Sequence, residues 1–307
     1  MAVRGERFRV RFWGVRGSYP TSNDKTLKFG GHTSCVEVEI GGHRLVFDAG
    51  TGIIALGKEL LKGRGGSFRL NIFLSHTHHD HIMGFPFFEP LLKASTRLFL
   101  FGPDSKQVPL KAALRTCMSR PFFPIGMNEL KARTRIYGLQ GGETVRLRAG
   151  NNSPKVETNG SLAARGDSEV FISTYKSPAH PKNGVLLYRV SYQSRSLVYA
   201  TDIEEKRGGY PEVIEFARES DLLIHDAQYL TSEYFFRRDP RKGWGHSTLE
   251  RAVEVARKAC VKRLILFHHE PTHDDATLEE IERKAQRLFP ETVAAYEGMK
   301  VDLLGDL

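Results

Sequence analysis

A cluster of histidines at residues 76–81 constrains this 307-residue chain more than any other feature. Four His and one Asp fall within six residues, in the order His76-Thr-His-His-Asp-His81. The preceding run, Arg69–Leu74, has the composition of a buried strand, so the cluster is predicted to follow that strand. His76 and His78 would project to the same side of an extended backbone. Because adjacent protonated imidazoles would repel each other, the sequence predicts a metal site here rather than a polar loop.

Further metal ligands are predicted where other strands end. Three acidic or imidazole side chains stand at or just beyond the ends of β-rich runs, namely His180, Asp202 and His268. A carboxylate can bridge two cations, and an imidazole can complete the ligand set of each. His269 directly follows His268, so the residues alone leave open which of the two is the ligand.

The remaining pattern favours an α/β (α+β) protein of two packed sheets with helices outside. β-rich runs and helical segments alternate in both halves of the chain, without a linker that would separate two domains. We therefore predict a four-layer αββα sandwich that spans residues 1–307 as a single domain. Residues 149–168 are polar and contain several Asn, Gly and Ser, which predicts a flexible insertion. Ser247 and Thr277 each precede a Glu by three residues and are predicted to cap helices.

The order of these motifs resembles that of the metallo-β-lactamase-fold hydrolases, and the match covers nearly the whole chain. Along the sequence it runs HxHxDH, then His, then Asp, then His. The segment Phe47-Asp-Ala-Gly-Thr-Gly52 is similar to the first motif of that family. Five segments resemble the phosphodiesterase branch that contains ribonuclease Z, or its bacterial members: His225–Tyr229, Gly245–Thr248, Leu266–His268, Phe12–Ser18 and Gly31–Cys35.

The resemblance implies a dinuclear metal centre. The ligands that it implies are His76, His78 and His180 for one cation, Asp80, His81 and His268 for the other, and Asp202 as the bridge. The register of the motif favours His268 over His269. The nitrogen and oxygen ligands suit Zn²⁺ first, with Mn²⁺ or Fe as alternatives.

The resemblance also implies residues that act around the metals. Asp48 is expected to orient a ligand histidine. His246 is expected near the leaving oxygen as an acid or electrostatic stabiliser, with Asp226 orienting it. The expected catalytic set is therefore His246, Asp80 and Asp226.

A basic and aromatic segment lies just before His246. Arg237, Arg238 and Trp244 are interpreted either as a phosphate-binding substrate rim with a stacking platform or as a solvated basic loop. The sequence favours neither interpretation.

Two departures from the family narrow the expected activity. Dinuclear β-lactamases typically have a cysteine at the position of Asp202, and none of the three Cys lies at a ligand position, so antibiotic hydrolysis is not expected. Ribonuclease Z proteins usually carry a long Gly- and Pro-rich arm that grips tRNA. Since we find no such arm, we do not expect tRNA 3′ processing.

Composition and charge limit the classes of partner that we expect. The chain has 45 Lys and Arg against 36 Asp and Glu, a net charge of +9, which favours small anionic substrates and allows nucleic acid. No apolar run approaches the ~20 residues of a membrane span, so no membrane partner is expected. Three widely spaced cysteines favour a reducing cytoplasm over a disulfide framework. The resemblance alone suggests a homodimer.

We therefore expect a cytoplasmic, dinuclear metal-dependent hydrolase. The expected reaction is hydrolysis of a phosphodiester, in a cyclic nucleotide, a short oligonucleotide or a similar small diester, by a metal-bridging hydroxide. The alternative is hydrolysis of a carboxylic ester, lactone or thioester at the same metals. A metal-stabilised nucleic-acid-binding scaffold is a third interpretation, which the complete ligand set disfavours.

Overall fold

The computed structural model describes residues 7–62, 67–105, 108–150, 153–158, 168–180, 184–204, 207–238 and 240–305. The strands in these ranges are β1 Phe8–Gly14, β2 Cys35–Ile40, β3 His43–Phe47, β4 Arg69–Phe73, β5 Arg97–Pro103, β6 Arg133–Leu139, β7 Thr144–Arg148, β8 Lys155–Glu157, β9 Glu169–Ser177, β10 Val185–Tyr192, β11 Arg195–Ala200, β12 Leu222–Asp226, β13 Arg263–Phe267, β14 Thr292–Ala294 and β15 Lys300–Asp302. The α-helices are α1 Gly52–Lys62, α2 His79–Ile82, α3 Leu110–Cys117, α4 Pro211–Ala217, α5 Thr231–Tyr234, α6 Leu249–Lys258 and α7 Asp275–Leu288. Short 3₁₀ helices occupy Asp24–Thr26, Phe85–Phe87, Glu89–Leu92 and Met127–Glu129.

In the described part of the chain, the strands form two mixed sheets. The first has seven strands in the order β15-β1-β2-β3-β4-β5-β6, and the second has eight in the order β14-β13-β12-β11-β10-β9-β7-β8. Strands β3 to β6 are parallel to one another, as are β11 to β14. The carboxyl ends of each parallel set therefore lie at one edge of its sheet.

The two sheets pack face to face around an apolar core. Alternate residues of both sheets point into it, including Phe47 and Phe73 of the first sheet and Tyr188 and Tyr199 of the second. The rings of Phe73 and Phe101 stack with centroids 4.6 Å apart. Helices α1 and α3 cover the outer face of the first sheet, and α4, α6 and α7 cover that of the second. The predicted four-layer αββα sandwich is confirmed.

The two predicted helix caps are displaced in opposite directions. Helix α6 begins at Leu249 after Thr248, one residue later than the predicted cap Ser247, and Thr248 makes no side-chain cap hydrogen bond. Helix α7 begins at Asp275, and the side chain of Asp274, three residues before the predicted cap, accepts the cap hydrogen bond from the backbone N–H of Thr277. Both predictions were wrong in register because the backbone stays extended up to Thr248 in the first case and only up to Asp274 in the second.

Part of the predicted insertion at 149–168 is a strand. Lys155–Glu157 pairs antiparallel with β7 as the edge of the second sheet. Residues 151–152 and 159–167 lie outside the described ranges. No helix in the described part of the chain combines the length and apolar character that a membrane span requires.

Candidate metal centre

Residues of the predicted site meet at the edge where the parallel strands end. Asp48 directly follows β3, His268 directly follows β13, and Asp202 lies two residues beyond β11. These three residues have positive φ angles of 59°, 62° and 55°. Side chains other than glycine adopt this left-handed conformation rarely, at a cost of order 1–3 kcal/mol, and such strain concentrates at functional sites. The chain therefore turns sharply at three strand ends to form this site.

Asp80, His81 and His268 form the first ligand group. Oδ2 of Asp80 lies 3.1 Å from Nε2 of His81 and 3.1 Å from Nε2 of His268. The two Nε2 atoms are 3.2 Å apart. All three side chains are buried. One carboxylate oxygen and two imidazole nitrogens in this arrangement offer a ligand set for one divalent cation.

His76, His78 and His180 form the second ligand group. Nε2 of His180 lies 3.1 Å from Nδ1 of His78. The ring of His76 lies 4.4 Å from that of His78 and 4.7 Å from that of His180, between centroids. Nδ1 of His180 lies 3.2 Å from the backbone oxygen of Gly245, to which it donates, so Nε2 keeps its lone pair. The structure thus brings together three imidazoles that are distant in sequence.

Asp202 lies between the two groups. Its Oδ1 is 3.7 Å from Nε2 of His76, while its Oδ2 is 3.2 Å from Nε2 of His81 and 3.3 Å from Nε2 of His268. One oxygen therefore faces each group, which is the geometry required of a bridging carboxylate. Burial raises the pKa of Asp202, but the charges of His268 and His81 outweigh burial and hold it well below its usual range.

The ligand groups satisfy a further requirement of a metal site. Nε2 of His76 is buried and has no hydrogen-bond partner within the described ranges. Burial and then the neighbouring His81 hold the pKa of His76 well below its usual value, so this imidazole is neutral. A neutral imidazole with an unused lone pair, facing a carboxylate, is the form that coordinates a cation. The residues present therefore fit two divalent cations.

Asp48 is hydrogen-bonded to His81 of the first group and is linked through Ser75 to His76 of the second. Its Oδ2 accepts a 2.8 Å hydrogen bond from Nδ1 of His81 and a 2.7 Å bond from the hydroxyl of Tyr199. Its Oδ1 accepts a 2.7 Å bond from the backbone N–H of Ser75. The Ser75 hydroxyl donates to Asp48 and lies 3.1 Å from Nδ1 of His76. The sequence predicted Asp48 in this position but gave no role to Ser75 or Tyr199.

No role was predicted from the sequence for Gln228 or for the loop that contains Gly17 and Ser18. Oε1 of Gln228 accepts a 2.9 Å hydrogen bond from Nδ1 of His268, which leaves Nε2 of His268 for a metal. The backbone N–H of Ser18 donates to Oδ2 of Asp80 at 2.8 Å. A Cβ atom on Gly17 would lie only 2.4 Å from Nδ1 of His268, so this position requires glycine. Both segments belonged to motifs that carried the resemblance, which was the available signal.

His246 stacks on His268 at 5.0 Å between ring centroids, and Asp226 fixes its orientation. Nδ1 of His246 lies 2.9 Å from Oδ2 of Asp226. Burial lowers the pKa of His246, but the adjacent Asp226 carboxylate outweighs burial and raises it to about 9. The imidazole is therefore held protonated at neutral pH, with Nε2–H available as a donor.

The two adjacent histidines at the end of β13 have different environments. His268 is a member of the first ligand group, whereas Nε2 of His269 lies 2.8 Å from the backbone oxygen of Ala295. Burial lowers the pKa of His269 to about 3. The structure therefore places His268, and not His269, among the candidate ligands.

The proposed rim residues lie at the surface. Arg237, Arg238 and Trp244 are exposed, and Trp244 precedes His246 by two residues. The Arg241 guanidinium carbon lies 4.4 Å from the centre of a Trp244 ring. This arrangement presents an aromatic face and positive charge together.

Comparisons with known proteins agree with this architecture. A family model described as a beta-lactamase superfamily domain matches residues 43–269. The chain belongs to this family, and it is a metal-dependent hydrolase with the metallo-β-lactamase fold.

Curated relatives match over almost the full chain. Ribonuclease Z of Pyrococcus horikoshii is 25% identical over 323 residues, which cover 97% of this chain and 97% of that protein. Ribonuclease Z of Archaeoglobus fulgidus is 27% identical over 331 residues, which cover 97% and 99% respectively.

Solved structures share the fold. The metallo-beta-lactamase fold protein YhfI from Bacillus subtilis has a TM-score of 0.64 at 18% identity, covering 97% of this chain and 99% of that chain. A diphosphatase from the PhnP family has a TM-score of 0.63 at 19% identity, covering 96% and 97%.

The sequence-based exclusion of tRNA 3′ processing was wrong. It depended on the missing Gly- and Pro-rich arm, yet relatives named ribonuclease Z align over nearly their whole length with this chain. Because the match extends from end to end, the lack of a recognisable arm is no basis for separating the chain from those enzymes.

Proposed function

We propose that this chain is a dinuclear phosphodiesterase whose substrates include RNA. The observation that carries the proposal is the position of Asp202, with one carboxylate oxygen facing each ligand group. A carboxylate placed between two imidazole groups supports a pair of cations close enough to act on one phosphodiester. The names of the relatives, ribonuclease Z and a diphosphatase, favour phosphorus over a carbonyl centre.

The residues that would hold the two cations are the seven in the two ligand groups and the bridge: His76, His78, His180, Asp80, His81, His268 and Asp202. When bound, the cations lower the pKa of water and stabilise the negative charge of the phosphoryl group during the reaction. The imidazole-rich set suits Zn²⁺ first.

The remaining residues position ligands and move protons. Asp48 keeps Nε2 of His81 directed at the centre, and Gln228 does the same for His268. His246 carries a proton on Nε2 and donates it to the leaving oxygen, while Asp226 stabilises the protonated ring through Nδ1. In this scheme Asp80 acts as a ligand.

The surface beside His246 fits a nucleic-acid substrate. Arg237 and Arg238 supply positive charge for backbone phosphates, and Trp244 supplies a face on which a base can stack. Small cyclic nucleotides and short oligonucleotides remain substrates of the same chemistry. The cytoplasmic location predicted from the cysteines accords with an RNA substrate.

The proposal is tested by comparing two chromogenic substrates. We expect the Zn²⁺-loaded protein to hydrolyse bis(p-nitrophenyl) phosphate but not p-nitrophenyl acetate, and Asp202→Asn to abolish the diester turnover. Asp302→Asn, the same change at an exposed position on β15, serves as the matched control and should retain activity. Turnover of the acetate alone would overturn the proposal in favour of a carboxylic ester, lactone or thioester hydrolase.

A further inference from the structure

Four neighbouring strands of the first sheet begin with a basic residue. They are β3, β4, β5 and β6, which begin with His43, Arg69, Arg97 and Arg133. Arg69 pairs with Arg97, and Arg97 pairs with Arg133, in the parallel register. Leu45 pairs with Asn71, so His43 lies level with Arg69. Because neighbouring strands are ~4.8 Å apart, the four residues form a row of about 14 Å, here called the basic row.

The basic row faces the space between the sheets. In β5, Phe99 and Phe101 belong to the core between the sheets, and side chains alternate along a strand, so Arg97 shares that inner face. The same alternation applies to His43, which is two residues before Leu45. The row therefore lies at the open end of the sandwich. The metal centre lies at the opposite ends of the same strands, roughly 15–20 Å away for strands of this length.

A cavity of about 140 Å³ opens at one end of the basic row. It is lined by Gly41, Gly42, His43, Arg44, Arg69, Asn71, Ala149 and Gly150. No acidic residue is among these lining residues. A cavity of about 150 Å³ holds a molecule of six heavy atoms such as benzene, so this one has room for a phosphate but not for a nucleoside.

Two polar atoms of side chains that line the cavity lack partners. Nε2 of His43 and Nε of Arg69 are buried and make no hydrogen bond within the described ranges. Arg44, by contrast, is paired with Glu37 and Glu39. In the same ranges, Arg69 has no carboxylate within ion-pair distance. Buried polar atoms are nearly always satisfied, so the Arg69 guanidinium retains an unused donor beside the cavity.

The Arg69 charge acts on His43. Burial and then the Arg69 charge lower the pKa of His43, while a hydrogen bond to the Arg148 backbone opposes this shift. The neutral ring therefore has no free N–H for an anion. A phosphate beside Arg69 would offset the positive charge, favour protonation of His43 and then accept hydrogen bonds from both side chains.

We infer that the cavity is a phosphate-binding site separate from the metal centre. Arg69 holds one phosphate group through its guanidinium, and His43 donates to the same group through Nε2 in the protonated form that the bound anion favours. Arg97 and Arg133 extend the positive surface away from the cavity. The group is either a free phosphate ion or a phosphate of an RNA chain, and the basic row is long enough to follow such a chain over about two phosphates.

The test follows the ring resonances of His43 by NMR in the metal-loaded, full-length protein. Titration with inorganic phosphate is expected to shift these resonances in the wild type and equally in Asp202→Asn, which separates the cavity from the metal centre. Arg69→Gln is expected to weaken this binding at least tenfold. Arg115→Gln, the same loss of charge on helix α3, should leave it unchanged. If Arg69→Gln does not fold, Arg69→Lys, which lacks the Nε donor, should weaken binding at least threefold.

A second titration with a single-stranded oligoribonucleotide identifies the source of the phosphate. If the source is RNA, the oligonucleotide shifts His43, and Arg97→Gln and Arg133→Gln each reduce the salt dependence of binding. If the source is the free ion, only inorganic phosphate shifts His43. The inference is overturned if neither ligand shifts His43, or if Arg69→Gln and Arg69→Lys bind as tightly as the wild type.

Discussion

The Asp48 carboxylate and the His81 imidazole are joined by a 2.8 Å hydrogen bond in the buried end of the sandwich. Through the hydroxyl of Ser75, the same carboxylate also reaches His76 in the other ligand group. One acidic residue outside the two ligand groups is thus connected to a candidate ligand on each side of Asp202.

We predict that Asp48→Asn weakens metal binding at both positions. An amide cannot accept as strongly from the imidazole N–H, and loss of such partners typically lowers metal affinity 10- to 100-fold. Competition with a chelator, followed by metal analysis, measures the change. Tyr199→Phe removes only one of the hydrogen bonds to Asp48 and should weaken binding less. Equal affinity in Asp48→Asn and the wild type would contradict the orienting role.

Gly17→Ala is predicted to disturb the first ligand group. The added Cβ atom would lie 2.4 Å from Nδ1 of His268, so the ring or the loop must move. We expect a loss of one metal and of diester turnover by at least tenfold, measured on the purified variant. Gly305→Ala, where the new Cβ would lie 3.7 Å from its nearest neighbour, should behave as the wild type. Full activity of Gly17→Ala would show that the loop adjusts without cost.

Substitution of the proposed rim arginines is predicted to affect substrate binding but not the chemical step. The double variant Arg237→Gln/Arg238→Gln should raise KM for an oligoribonucleotide about tenfold, because backbone phosphates lose two cations. KM for bis(p-nitrophenyl) phosphate, which has no further backbone phosphates, should not change. An equal effect on both substrates would show that these arginines do not act on the backbone phosphates of RNA. No effect on either substrate would show that they belong to a solvated loop.

We predict that the contribution of Asp221 to stability depends on pH. Asp221 directly precedes β12, at the end of the strand opposite to the metal centre. Burial raises the pKa of Asp221, but the hydrogen bond from Lys262, together with those from the Ser196 backbone and Arg195, outweighs burial and lowers it. A carboxyl whose folded pKa lies below its unfolded value stabilises the fold above the unfolded pKa of about 3.9, and this stabilisation disappears as pH falls through the folded value. The difference in Tm between the wild type and Asp221→Asn should therefore be large at pH 6 and shrink below about pH 4.

Thermal unfolding across that range measures the prediction. Glu212→Gln, at an exposed position at the start of α4, controls for a simple change of net charge. A Tm difference that stays constant from pH 6 to pH 3 would show that the lost hydrogen-bond geometry, and not the charge, is responsible.

The strand ends made much of the site predictable from the sequence. Short apolar runs lead into His76, Asp202 and His268. A turn at the end of a strand has no structural need for histidine or aspartate in particular, so these residue types indicated a site. Their convergence follows from the parallel order of the strands, whose carboxyl ends lie at one edge of each sheet. The resemblance then supplied the pairing of ligands, which periodicity cannot give.

The rest of the site depends on backbone turns that the local sequence pattern does not predict. His268, and not His269, lies in a candidate ligand group, and His268 has a positive φ where the chain turns at the end of β13. Gln228 and Gly17 meet His268 from segments more than 200 residues apart, so spacing gave no sign of them. Displaced helix caps have a similar cause, because the turn before α7 placed Asp274 at the cap instead of Thr277.

Metal content distinguishes a dinuclear centre from a mononuclear one. We predict two Zn²⁺ per chain in the wild type, and about one in each of His180→Ala and His268→Ala, because each variant removes a ligand from a different group. His269→Ala, a neighbouring buried histidine outside the ligand groups, should retain two if it folds. A wild-type content of one, or an unchanged content of two in both ligand variants, would contradict a dinuclear centre bridged by Asp202.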